Sequence, residues 1–216
     1  MASPMYLQVE QQEDAIKVVS TNNSRAKFSV CFLFVGFGWV VGSWVARIPD
    51  VKQDLDISEG MLGLALLCAA LGMLSGLPII GWLGNKKGSR FGTLLGCGFM
   101  SLSLLLIGFS PSVWILMVSL LVYGFGSGLQ DVGMNAQAVL VEMAFDQKIM
   151  GAFHSCFSIG SVIGAVVGGS VASAGISPAI HFIFASVPLA VTYYFVCQWL
   201  YSQTEENSLV TASSNK

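Results

Sequence analysis

Residues 113–142 read VWILMVSLLVYGFGSGLQDVGMNAQAVLVE, a run in which Asp131 and the terminal Glu142 are the only charges. A bilayer core about 30 Å thick needs roughly 20 mostly apolar residues to be crossed as a helix, and this run exceeds that length. Working outward, five more such stretches fill 28–46, 61–83, 91–109, 150–174 and 179–201. Charged residues make up 10% of the 216, far below the soluble norm of about 25%. The chain is therefore expected to be an all-α membrane protein with six transmembrane helices over 28–201. Polar tails at 1–27 and 202–216 are expected to be disordered or only partly ordered.

The positive charges set the topology. With the amino terminus inside, the inner segments hold Lys17, Arg25, Lys27, Lys86, Lys87, Arg90, Lys148 and Lys216, and the outer loops hold only Arg47 and Lys52. That asymmetry places both termini in the cytoplasm. Trp44 and Trp114 then fall near the outer interface and Trp82 and Trp199 near the inner one, where an amphipathic ring belongs. The polar first 27 residues and the long apolar run after them do not have the form of a secretory signal peptide. A net charge of −2 leaves no basic footprint for nucleic acid. The five cysteines all fall inside expected spans, and an odd number in apolar surroundings reads as small packing residues rather than a disulfide framework or metal site. No cofactor is expected.

Shifting the chain by 88 residues superposes glycine on glycine: Gly36 on Gly124, Gly38 on Gly126, Gly63 on Gly151, Gly72 on Gly160, Gly76 on Gly164 and Gly81 on Gly169. Chance at this glycine abundance gives about one or two such coincidences. Three helices per unit make the second unit enter the membrane from the opposite side, so the pattern describes two inverted three-helix repeats, an arrangement common in secondary transporters. The plainer alternative is that glycine is frequent in membrane helices and the register accidental. Gly38/Gly42, Gly72/Gly76, Gly124/Gly128 and Gly160/Gly164 each put small residues on one helix face, which lets backbones approach closely in lipid.

Function has to be sought where polar groups enter the spans. Asp131 lies 17 residues beyond Trp114, roughly 25 Å along a helix axis. A carboxylate there is costly unless it faces a cavity or a partner, and one that binds and releases a proton is a means of coupling transport to a proton gradient. Asn135 shares its face one turn on, and Gln130 and Gln137 form a neighbouring polar strip. Asp131, Asn135, Gln130 and Gln137 are the candidate substrate and proton-coupling residues. A hydrogen-bonding role without titration is the alternative for each. His154 and His181 read as interfacial, and Arg47, beside Pro49, as a side chain that snorkels to the surface or closes an outer gate with a carboxylate. Glu142, Asp146 and Lys148 are expected in the solvated inner loop. No nucleophile turn with a deep histidine, no paired Asn-Pro-Ala half-helices and no Cys/His cluster point to an enzyme, water channel or metal site.

Residues 81–90 read G-W-L-G-N-K-K-G-S-R. This resembles the loop signature of the major facilitator superfamily, G-x-L-x-D-x-x-G-x-[RK], with Gly81, Leu83, Gly88 and Arg90 matching and Asn85 in place of the acid. The stretches ARIPDVKQDLDISEGMLGLALLCAALG (46–72) and GSGLQDVGMNAQAV (126–139) are similar to the fucose-permease-like branch, which implies that Asp131 lines a central cavity and takes part in proton coupling. The chain departs from that branch at 42–45, which carry no acid, and at Leu120, near where the superfamily has an arginine.

The resemblance also implies that this is one six-helix bundle of a fold that normally has two, with solute held between them near the midplane. The expected function is secondary-active transport of a small polar solute, such as a sugar. The expected partners are the lipid bilayer, the solute, and either a second copy or a separately encoded carboxyl-terminal half. The alternative is a truncated or split remnant that acts only as a membrane subunit.

Overall fold

The computed structural model describes residues 4–214, with side chains from Asn23 onward. Seven helices follow in order: α1 (Pro4–Asp54), α2 (Glu59–Lys87), α3 (Ser89–Gly108), α4 (Val113–Phe145), α5 (Met150–Ser173), α6 (Pro178–Val196) and α7 (Gln203–Ser214), with a 3-10 turn at Cys197–Trp199. Six segments are long and apolar enough to cross a membrane: Asn23–Asp54, Glu59–Lys87, Ser89–Gly108, Val113–Phe145, Met150–Ser173 and Pro178–Trp199. Each turn between spans is short, so successive spans run antiparallel, and both termini emerge at one end, called here the terminal end.

The 88-residue shift maps α1 onto α4 and α2 onto α5, and the contacts obey it. The two most extensive pairings are α1 with α5 and α2 with α4, each the image of the other under the shift. Glycine makes both possible. A Cβ at Gly38 or Gly42 would strike the Phe157 or Ser161 carbonyl of α5, and one at Gly160 or Gly164 would strike Val35 or Trp39 of α1. In the second seam, Gly72 and Gly76 meet Leu121 and Phe125, while Gly124 and Gly128 meet Ala69 and Met73. Lipid supplies no hydrophobic drive between helices, so this backbone-to-backbone van der Waals contact carries the association. The bundle is thus built as two inverted three-helix repeats.

The buried centre lies between α1, α3, α4 and α6, around Leu33, Phe34, Val40, Met100, Leu104, Leu116, Leu120, Phe182 and Tyr193. Leu120, in the place resembling the superfamily arginine's, is fully buried and belongs to this packing. By contrast, α5 and α2 bury only 17% and 22% of their most apolar windows.

Three expectations need correction. The carboxyl-terminal segment is not irregular: it forms α7, which lies across the terminal end of the bundle. The amino-terminal segment is likewise helical, α1 reaching back to Pro4; residues 1–3 and 215–216 lie outside the described residues. Finally, not every cysteine is a plain packing residue. Cys31 of α1 and Cys156 of α5 are disulfide-bonded with Cα atoms 6.0 Å apart. The physical reason is the glycine seam, since Cys31 lies seven residues before Gly38 and Cys156 four before Gly160, both on the contact faces. Cys68, Cys97 and Cys197 are free thiols.

Candidate functional site

Three faces of α4 are used differently. Gly124 and Gly128 pack on α2. A second face, with Gly126, Gln130, Gly133 and Gln137, packs on α3 and on the segment that ends α6: Gly126 lies against Phe99 and Met100, and Gly133 against Thr93. A third face carries a strip of Ser127, Asp131 and Asn135, one turn apart and each half-buried. Along this strip Asn135 Nδ2 donates to Asp131 Oδ1 at 3.1 Å and to the Asp131 carbonyl at 2.8 Å. The structure therefore brings Asp131 and Asn135 together as a bonded pair. His154, at the start of α5, is exposed, stands edge-on to Phe34 with ring centroids 5.3 Å apart, and interacts electrostatically with Asp131.

Gln130 and Gln137 are elsewhere. Both are 0% exposed. Gln130 Nε2 donates to Tyr193 Oη at 3.2 Å. Gln137 Nε2 donates to Ser89 Oγ at 2.8 Å and to the Tyr201 carbonyl at 2.9 Å, and its Oε1 accepts from Tyr201 N–H at 2.9 Å. They hold α4 to α3 and to the end of α6 and do not reach the Asp131 strip.

The 81–90 stretch is mostly helix. Gly81, Leu83 and Asn85 lie in the last turns of α2, and Arg90 in the first turn of α3. Leu83 is buried and Asn85 exposed. Gly88 alone makes the reversal, at φ +79°, a conformation only glycine adopts freely. A side chain there would also press on Gln203 of α7. Gly88 contributes no side-chain cap to α3. Instead, Glu206 of α7 accepts from Ser89 N–H at 3.0 Å and from Ser89 Oγ at 3.1 Å, while Gln203 Nε2 donates to the Asn85 carbonyl at 3.3 Å. A cleft of about 260 Å³ between α2, α3, α4 and α7 is lined by Gly81, Asn85, Ser89, Gly133 and Glu206. Sequence reasoning missed Glu206 because nothing local marks it, lying as it does in a segment taken to be a tail.

Two further expectations are overturned. Glu142 is not a loop carboxylate: it lies in α4, and its Oε1 accepts from Ile149 N–H at 2.6 Å and Met150 N–H at 2.8 Å, capping α5. Arg47 does not snorkel out. It is 1% exposed, with Nε 2.8 Å from Asp50 Oδ2 and Nη2 donating to the Ile176 carbonyl. The end of α1 around Pro49 and the α5–α6 turn enclose it. His181, also buried, interacts electrostatically with this guanidinium.

Comparison with known proteins adds a family. A profile of the Major Facilitator Superfamily matches residues 28–216. An uncharacterized MFS-type transporter of Yersinia pestis is 33% identical over 162 residues, 75% of this chain and 41% of that protein. An uncharacterized transporter of Sinorhizobium fredii is 30% identical over 154 residues, 70% and 40% of the two chains. The multidrug efflux pump SdrM of Staphylococcus aureus is 26% identical over 167 residues, 75% and 36%. The chain thus spans about two fifths of the length of the curated relatives it matches.

Proposed function

This chain belongs to the major facilitator superfamily, and on that premise we propose that it is one half of a secondary-active transporter for a small polar solute such as a sugar, coupled to protons through Asp131. The observation that carries the reading is the half-buried Asp131–Asn135 pair, bonded to each other on a polar strip of α4 within a span. A carboxylate within a span is costly against lipid, so the strip calls for a water-filled cavity closed by a second six-helix unit. Asn135 holds one carboxylate oxygen and leaves the other to solute or water. Gln130 and Gln137 act as positioning residues that fix the rotation of α4. Within the superfamily, the 126–139 stretch puts the chain nearest the fucose-permease-like branch, and the positive charges put both termini in the cytoplasm.

One relative is named a multidrug efflux pump. Exchange of a proton for an outward-moving compound would use the same carboxylate. The second reading is a membrane subunit without transport of its own.

The test is proton movement in proteoliposomes challenged with a panel of hexoses and pentoses. The native chain is expected to take up protons with at least one sugar, and Asp131→Asn to abolish this at equal reconstitution. Sugar-driven proton uptake that survives in Asp131→Asn removes this carboxylate from the mechanism.

A further inference from the structure

The cations at the two ends of the bundle are treated differently. At the end away from the termini, Arg47 is paired with Asp50 and Lys52 with Glu59. At the terminal end, Lys86, Lys87 and Arg90 have no carboxylate partner among the described residues. The acids of α7 nearest them are engaged otherwise: Glu206 accepts from Ser89 and Glu205 from Ser202. The two lysines rest on aromatic rings instead, Lys86 Nζ 4.5 Å from the Trp82 centroid and Lys87 Nζ 4.5 Å from that of Phe91. Arg90 donates to the Gln198 side chain. A ring face holds an ammonium in place without neutralising it, so three positive charges are positioned around one turn and remain unspent.

Beneath them the surface is apolar. Phe91, Leu95 and Leu102 share a face of α3, and the two leucines are exposed by 36% and 47%. Phe195, on the neighbouring α6, is exposed by 60%. Trp82 is exposed by 58%, as suits a ring at headgroup depth. A soluble anion would use the charges alone. Charges above a lipid-facing apolar stripe fit a molecule with both parts.

We propose that Lys86, Lys87 and Arg90 form a binding site for the phosphate of an anionic phospholipid, whose acyl chains lie along the exposed faces of α3 and α6. The site does not depend on transport or on Asp131. Unneutralised basic residues next to a span attract anionic headgroups, and the two rings and Gln198 hold these three in place around the α2–α3 turn.

The test is lipid retention. The full chain is purified from nanodiscs of phosphatidylcholine mixed with phosphatidylglycerol, and bound lipid is read by native mass spectrometry. The native chain is expected to retain phosphatidylglycerol over phosphatidylcholine. K86Q/K87Q/R90Q is expected to lose that preference by at least about tenfold, whereas K86R/K87R keeps it. The single variant K87Q, expected to show a partial loss, serves if the triple variant is not monodisperse. K27Q/K148Q is the control, since it removes two charges at the same end but outside the cluster. Equal retention of the two lipids by the native chain, a preference unchanged in K86Q/K87Q/R90Q, or an equal loss in K27Q/K148Q would overturn the site. Displacement of the lipid by inorganic phosphate would overturn its assignment to lipid.

Discussion

Gln130 and Gln137 are seven residues apart on α4, so they share a face, and at about 100° per residue that face is turned roughly a third of a turn from Asp131. The consequence is energetic. Gln137 satisfies both backbone groups of buried Tyr201 and the Ser89 hydroxyl, while Gln130 makes one bond, to Tyr193. A buried polar group stripped of its partner costs about 1–3 kcal/mol. Gln137→Leu is therefore expected to destabilise the bundle by about 2–4 kcal/mol and Gln130→Leu by about 1, read as the loss in thermal midpoint of the purified chain. Equal effects would mean that the three-way bond of Gln137 does not hold the terminal end together. Neither substitution touches the Asp131–Asn135 pair, so any transport defect should follow stability rather than coupling.

At the scale of the elements, helix starts reveal a division of labour. Ser58 and Ser177 cap α2 and α6 with their own side chains, accepting from Met61 N–H at 3.2 Å and Ile180 N–H at 3.5 Å. The residues at the same position for α3 and α5, Gly88 and Ile149, supply no side-chain cap. Glutamates from other helices do so instead, Glu206 for α3 and Glu142 for α5. A carboxylate at a helix start satisfies orphan N–H groups and opposes the positive end of the dipole, worth about 1 kcal/mol. Glu206→Gln is expected to speed amide exchange in the first turn of α3 and along α7, and to leave α5 unchanged. Glu142→Gln should do the reverse. Exchange unaffected in α7 by Glu206→Gln would show that the helix is docked by Gln203 and Leu209 rather than by its carboxylate.

The whole molecule is a bundle whose two closest seams, α1–α5 and α2–α4, exchange under an 88-residue shift, with one half-buried polar strip on α4. Under the proposed function a second six-helix unit covers that strip, either a second copy or a separately encoded carboxyl-terminal half. Where a second copy is the source, the native mass in lipid nanodiscs is expected to be about twice the 23.0 kDa chain. A strict monomer without proton movement would favour the subunit reading.

Much of this was legible in the residues. Run length announced six spans, because lipid imposes a length and excludes charge. Glycine spacing announced the repeat, because only glycine lets two backbones touch. Asp131 stood out because a lone carboxylate in such a run demands a reason. Other features depend on helices that pack far apart in sequence. The Cys31–Cys156 bond, the enclosure of Arg47, the inward turn of Gln130 and Gln137, and the capping of α3 by Glu206 each join residues 48 to 129 positions apart. Periodicity along one helix says which residues share a face. Only the tertiary packing says what each face meets, and that difference separates a buried glutamine that holds helices together from a half-buried carboxylate bonded only along its own helix.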